Sequence, residues 1–267
     1  MNTHPKRFKL ILEFDGGRYS GWQKQDDAVT LQGTLLDAAG KLFGTQVDVQ
    51  GSGRTDAGVH ALHYTAHLEV QTELSPQDIL KKLNAALPQD IVIIACKRAG
   101  VRFHARLNCI GRSYCYQVAR QKTALARNHV WQVTTAAVDM VRMREAADLL
   151  VGMHDFSSFT DRQVVKKKSP LVMINQCQVV TAGDLILFRI VGSHFLWKMV
   201  RRIVGVLMAV GKGELKVADL RRFLKEPVLL TQYTAPAQGL FFERAFYDQE
   251  ELDSFLANDE LKPVFIR

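Results

Sequence analysis

The sequence predicts an α+β fold built on a largely antiparallel sheet, and three observations lead there. Segments with strand-like period-two alternation come in runs broken by segments of helical spacing, without a strict β-α-β-α repeat. Two of these segments, 176–180 and 185–191, flank Ala182-Gly183-Asp184, the turn signal of an antiparallel hairpin. Strands and helices occur in similar proportion in the two halves of the chain, residues 1–120 and 121–267. The boundary is expected near 121–133, where the strand pattern gives way to loop.

Phe8, Leu10, Leu12 and Phe14 share one face of a first strand, which ends at a turn through Asp15-Gly16-Gly17. Leu31, Leu35, Ala39, Leu42 and Phe43 fall at helical spacing. A short strand, 47–50, leads into the glycine-rich stretch from Gly51 to His60. Beyond it Leu62, Tyr64, Ala66, Leu68 and Val70 alternate with His63, Thr65, His67 and Glu69, predicting a half-buried strand. Ser75-Pro76 is a helix start, with serine at the cap and proline at the first helical position, and the helix runs to about Ala86. Strands are expected at 91–95 and 114–119, and a helix at 140–150 with Met143, Ala147 and Leu150 on one face. A long apolar helix is expected over 195–210 and a final strand over 239–247. The loop 165–170 carries Lys166, Lys167 and Lys168, a solvated run or a phosphate contact.

Lysine and arginine outnumber the acids 35 to 27, for a formal charge of +8. That surplus suits either a polyanionic partner or plain solubility. The four cysteines, Cys96, Cys109, Cys115 and Cys177, form no C-x-x-C pair, so they read as reduced thiols of a cytoplasmic protein and suggest no zinc site. Glu13 and Asp15 break the first apolar run, which therefore does not read as a signal segment. The best apolar run, 203–211, falls well short of the roughly 20 residues that cross a bilayer.

The stretch Gly51-Ser52-Gly53-Arg54-Thr55-Asp56-Ala57-Gly58-Val59-His60 carries the most chemical information. Its glycines let the backbone turn sharply and approach a ligand. An acid beside an arginine is held ionised, and an ionised carboxylate against a substrate can serve as nucleophile or base. The plainer reading is a tight turn whose aspartate caps a backbone, and residue pattern alone favours it. The stretch lacks the third glycine of a dinucleotide-binding fingerprint and the G-K-[ST] of a phosphate-binding loop.

Gly53-Arg54-Thr55-Asp56-Ala57-Gly58-Val59-His60-Ala61 resembles the signature of the TruA family of tRNA pseudouridine synthases. The resemblance extends in order along the chain. It includes Phe14-Asp15-Gly16-Gly17-Arg18-Tyr19-Ser20-Gly21-Trp22-Gln23, Thr30-Leu31-Gln32-Gly33, Asn84-Ala85-Ala86-Leu87-Pro88 and Phe103-His104-Ala105-Arg106. It continues through Tyr114-Cys115-Tyr116, Asp155-Phe156-Ser157-Ser158-Phe159, Met199-Val200-Arg201-Arg202-Ile203-Val204-Gly205 and Ala235-Pro236-Ala237-Gln238-Gly239-Leu240. It implies the pseudouridine synthase fold, two similar halves around a central, mostly antiparallel sheet with a basic cleft. It implies a homodimer acting on tRNA in the anticodon stem-loop, at about positions 38 to 40 of tRNA numbering. By resemblance Asp56 is the catalytic aspartate, Arg54 helps displace the target base, Tyr114 stacks on the uracil, Arg201 pairs with the aspartate, and Leu240 lines the pocket.

These residue types suit the reaction. Isomerisation breaks the N1–C1′ bond of uridine, turns the base and rejoins it through C5, with no redox or energy input, so no cofactor is implied. The ribose gains oxocarbenium character, and a carboxylate can stabilise it, add to C1′ or take the 2′ proton. An arginine can replace lost stacking and an aromatic ring can hold the extruded uracil. Tyr114 and Tyr116 share a strand face, so pattern alone admits either, with core packing the plainer reading for Tyr116. His194, Lys198, Arg201 and Arg202 lie at i, i+4, i+7 and i+8, one polar stripe running from just before the expected helix 195–210 along it, predicted to meet RNA or the active site, with Asp56 as the partner a buried Arg201 would need. Two other classes compete. A non-catalytic tRNA-binding protein on the same fold would lack the aspartate. A nucleoside glycosidase would need a second carboxylate to activate water, and Asp48 and Asp90 sit in no such motif.

Overall fold

The computed structural model describes residues 4–44, 46–134, 137–165, 169–258 and 260–264, so the lysine run 166–168 lies outside the described residues. The chain begins with β1 (Lys6–Phe14), α1 (Leu31–Phe43), β2 (Val47–Gly51), β3 (His60–Val70), α2 (Pro76–Ala86) and β4 (Ile91–Ala99). It continues with β5 (Gly111–Ala119), β6 (Trp131–Gln132), α3 (Met140–Asp148), β7 (Gly152–Asp155), α4 (Arg162–Val165), β8 (Leu171–Ala182) and β9 (Leu185–Gly192). It closes with α5 (Met199–Gly211), α6 (Val217–Phe223), β10 (Leu240–Phe246) and α7 (Gln249–Asn258). This is the expected α+β content, and most pairings are antiparallel. The exceptions are β10 with β3 and the two-residue β6 with β5, which run parallel.

The chain packs into two compact units, residues 1–109 with Phe241–Tyr247, and residues 110–240 with 248–267. β5 goes with the second because it pairs along its whole length with β9. Phe241–Tyr247 goes with the first because β10 lies beside β3.

In the first unit the strands run β4-β1-β3-β10, with β2 also on β3. Phe8, Leu10 and Leu12 are fully buried, as their spacing predicts. Thr30 caps α1 by accepting from Gly33 N at 3.2 Å, and Ser75 caps α2 by accepting from Asp78 N at 3.1 Å. β3 departs from expectation. Thr65 and His67, read as solvent-facing, are buried along with Tyr64, Ala66 and Leu68. The segment after β4 covers that face: His67 Nδ1 accepts from Ala105 N at 3.1 Å, and its ring meets Phe103 and His104 edge-on. Burial, followed by the charges of His104 and Arg7, pulls the His67 pKa down to about 4.

In the second unit the order is β5-β9-β8-β7, with the expected hairpin from β8 to β9 turning at Gly183 in the left-handed region. The apolar helix begins four residues later than its spacing predicts. Residues 197 and 198 form a turn in which Lys198 takes φ 59°, and α5 starts at Met199. His194 and Lys198 therefore lie outside the helix, and the proposed basic stripe reduces to Arg201 and Arg202. Of these, Arg202 is an interior residue, 1 % exposed and paired with Asp161. Its charge is spent inside the second unit and does not face a partner. Among the described residues no helix is long and apolar enough to cross a membrane.

Candidate active site

Asp56 sits half-buried in the loop joining β2 to β3, the segment singled out by the sequence. Val59 N donates to Asp56 O at 3.2 Å, closing a tight turn in which Gly58 takes φ +78°. Asp56 thus opens a turn, as the plainer reading of the pattern expects. The surroundings go further, because both sides of the loop are braced from distant parts of the chain.

One brace is the segment after β1. Trp22 N donates to Thr55 O at 3.1 Å, and Gly58 N donates to Tyr19 O at 3.3 Å. The approach is so close that a Cβ on Gly21 would lie 2.5 Å from Thr55 O, and Gly21 itself has φ +90°. A Cβ on Gly16 would lie 1.9 Å from Val59 O. Gly16 and Gly21 therefore belong to the same construction as the aspartate loop.

The other brace is aromatic. Tyr64 projects from β3 into a cluster with Trp22, Phe14 and Phe242, at ring-centroid distances of 4.3, 5.5 and 5.0 Å. Its hydroxyl donates to Gly53 O and accepts from Gly53 N at 3.4 Å. Ser52 N donates to Thr65 O at 2.8 Å, which continues the ladder into the loop. Tyr64 and Trp22 are positioning residues that the sequence reading assigned only to a strand face and a motif. Nothing in the sequence reports that Tyr64's hydroxyl reaches back eleven residues to Gly53.

Arg54 is exposed, and its Nε donates to Gln23 Oε1 at 3.2 Å. The two carboxylates weighed for a glycosidase have other surroundings. Asp90 pairs with Arg18 and accepts from Tyr19 Oη at 2.7 Å, and burial with this bond raises the tyrosine pKa to about 12. Asp48 is about half exposed, 3.9 Å from His67 Nε2.

In the second unit Tyr114 is 8 % exposed on β5 and packs edge-on against Phe195, at 5.1 Å and 84°. Tyr116, two residues on, donates its hydroxyl to Pro236 O at 2.8 Å and is 1 % exposed. Burial drives its pKa sharply up, with Arg201 opposing. Arg201 is half-buried; its Nε donates to Ala235 O at 2.7 Å and its carbonyl accepts from Ala235 N at 3.1 Å. It thereby fixes the segment leading to Leu240, which is 5 % exposed at the start of β10. A half-buried carboxylate in a rigid loop can act on an electrophilic sugar carbon. A largely buried tyrosine beside a second ring can hold a planar base.

Residues 10–108 and 146–248 match the family described as tRNA pseudouridine synthase. The tRNA pseudouridine synthase A of Zymomonas mobilis is 36% identical over 245 residues, covering 90% of this chain and 99% of the relative. That of Rhodopseudomonas palustris is 38% identical over 252 residues, covering 91% and 99%. That of Exiguobacterium sibiricum is 34% identical over 247 residues, covering 92% and 98%. The class these matches define is an isomerase. The chain belongs to the tRNA pseudouridine synthase family. Arg54 and Asp56 fall in the first matched stretch, Arg201 and Leu240 in the second, and Tyr114 between the two.

Proposed function

We propose that this protein converts uridine to pseudouridine in the anticodon stem-loop of tRNA, at about positions 38 to 40, with Asp56 as the catalytic carboxylate. The observation that carries the reading is the bracing of the Asp56 loop by Trp22, Tyr64 and the close-packed Gly16 and Gly21. A carboxylate that must stay beside the ribose while the base leaves, turns and returns needs such a mount. Arg54, exposed next to it, holds RNA from which the target base has been drawn. Tyr114 holds the free uracil, Leu240 walls the pocket, and Arg201 offsets the charge of the carboxylate. The protein acts as a cytoplasmic homodimer, with its net charge of +8 drawing in the polyanionic substrate.

In the reaction the N1–C1′ bond breaks, the C5–C1′ bond forms, N1 gains a proton and the C5 hydrogen leaves to solvent. tRNA tritiated at uracil C5 therefore releases label to water with each turnover. Asp56→Asn keeps the shape and removes the charge, so it should bind tRNA and release no tritium, even with enzyme in excess. A folded Asp56→Ala that released tritium near the wild-type rate would remove Asp56 from the mechanism. Untouched RNA with the wild-type protein would favour a tRNA-binding protein without catalysis. An abasic site would favour a glycosidase.

A further inference from the structure

Just before α5 the chain presents an aromatic ring outward from a strained backbone. Trp197 is 45% exposed, whereas every other Phe, Tyr or Trp among the described residues is buried or half-buried. Tryptophan is ordinarily among the more buried side chains, so a half-exposed one calls for a reason. Lys198 Nζ lies 4.0 Å from the centroid of its ring, placing a cation against the indole. Lys198 is also the one non-glycine residue with positive φ among the described residues, at φ 59° and ψ 7°. A lysine persists in that conformation only where its surroundings hold it, and such strain gathers at functional positions.

The surroundings do hold it. Thr160 Oγ1 donates to Trp197 O at 3.1 Å, Met199 N donates to Leu196 O at 3.1 Å, and Arg202 N donates to Lys198 O at 3.0 Å. Leu196 and Met199, on either side, are buried at 6% and 0% exposure. The turn is thus anchored through its neighbours while Trp197 is exposed and Lys198 lies half-buried against its ring. Phe195, two residues earlier, packs edge-on against Tyr114, and two residues of chain span at most about 7 Å. The turn that carries the ring and the cation therefore follows within two residues of the ring that packs on the tyrosine.

We infer that Trp197 and Lys198 form a platform for an unpaired RNA nucleotide neighbouring the uridine that is isomerised, with the base stacked on the indole and the ammonium on its phosphate. Extruding one base leaves its neighbours without a stacking partner, and an aromatic ring flanked by a cation replaces it for any base. A single exposed apolar residue is ordinary, but a strained lysine held against an outward tryptophan, two residues from the ring that packs on Tyr114, is not. The inference rests on the proposed isomerase reading.

The test uses the full-length protein with an unmodified tRNA transcript. Trp197→Leu keeps apolar bulk and removes the π-face, and it should weaken tRNA binding roughly 5- to 150-fold, with the loss in KM rather than kcat. The chain has three tryptophans, of which Trp22 is buried and Trp131 half-buried. tRNA should quench wild-type tryptophan emission, and Trp197→Phe should abolish that quench while largely preserving affinity. Lys198→Gly allows the same backbone conformation without the charge, and it should lower the slope of log affinity against log salt by about one. Wild-type affinity in Trp197→Leu, or an undiminished quench in Trp197→Phe, overturns the platform. If the wild-type protein made no pseudouridine but its emission were still quenched through Trp197, the isomerase reading and the placement beside its target would fail, and only RNA stacking on Trp197 would stand.

Discussion

Gly21→Ala tests the brace from a position 35 residues away from the carboxylate. The added methyl group would sit 2.5 Å from Thr55 O and 3.2 Å from Asp56 C, so the loop must retreat by about 0.9 Å to reach the 3.4 Å of ordinary contact. Alanine at φ +90° adds strain of about 1–2 kcal/mol, and loss of the Trp22 N to Thr55 O bond adds about 1 kcal/mol. The expected destabilisation is thus about 2–3 kcal/mol, read from urea melting. The larger effect should be on rate, because a displacement near 1 Å from productive geometry costs on the order of 100-fold. Tritium release at saturating tRNA should fall about that far, with tRNA affinity nearly unchanged because phosphate contacts dominate it. Gly44→Ala is the control. It has φ +62° but no atom within 4 Å of the added group, so it should lose stability and keep its rate. A folded Gly21→Ala with a wild-type rate would refute the claim that this contact positions Asp56.

Three further outcomes follow from the structure. Tyr114→Ala should fold and lose turnover, whereas Tyr116→Ala should act on stability, by about 3–5 kcal/mol, since its ring is buried and its hydroxyl is bonded to Pro236; a melting curve and a tritium assay on each separate the two. The lowered His67 pKa means the fold favours the neutral ring, so its stabilising effect is full above the ordinary value near 6.5 and is lost as pH falls from there towards about 4. His67→Asn, which keeps an acceptor for Ala105 N, should flatten the stability curve across that window by at most about 1.4 kcal/mol per pH unit, and an unchanged curve would count against it. The proposed homodimer should appear in light scattering at micromolar protein, and tRNA affinity should fall steeply with salt; a monomer or salt-independent binding argues against either part.

What the sequence disclosed and what it hid divide along a physical line. The Asp56 loop is legible because its chemistry-bearing residues lie within ten consecutive positions. The face of β1 and the caps Thr30 and Ser75 are legible because period and capping are local properties. The buried outer face of β3 is not, since Thr65 and His67 read as polar until residues 103–105 fold over them and supply a partner for the ring nitrogen. The start of α5 is not, because Phe195 and Leu196 continue the apolar spacing while Lys198 leaves the helical region, a backbone event with no signal in residue type. α7 escapes notice because only Leu252 and Phe255 of its ten residues are buried, too few to set a period. Arg202 shows the same limit in charge, since only its ion pair with Asp161 turns an apparently RNA-facing arginine into an interior one.

The bracing has a rationale in the proposed chemistry. A hydrolase acts on its sugar once and can release the products, whereas an isomerase of this kind must meet the same C1′ twice, before and after the uracil turns. The protein's part is to keep the carboxylate still through the interval while the base moves. A loop bonded only within itself would relax when its substrate shifts, because exposed loops are the least constrained parts of a fold. Here the loop is tied instead to β3 through Ser52 N, to an aromatic cluster through Tyr64, and to the segment after β1 through Trp22 and Gly58. Three ties, two of them from β3 and one from the segment after β1, thus share the work of holding Asp56. Weakening one tie should then cost rate in proportion to the displacement it allows, while cutting two at once, Tyr64→Phe with Gly21→Ala, should cost more than the sum of the single effects on activation free energy. Strict additivity in that double variant would mean that each tie restrains a different atom of the loop and that no shared mount exists.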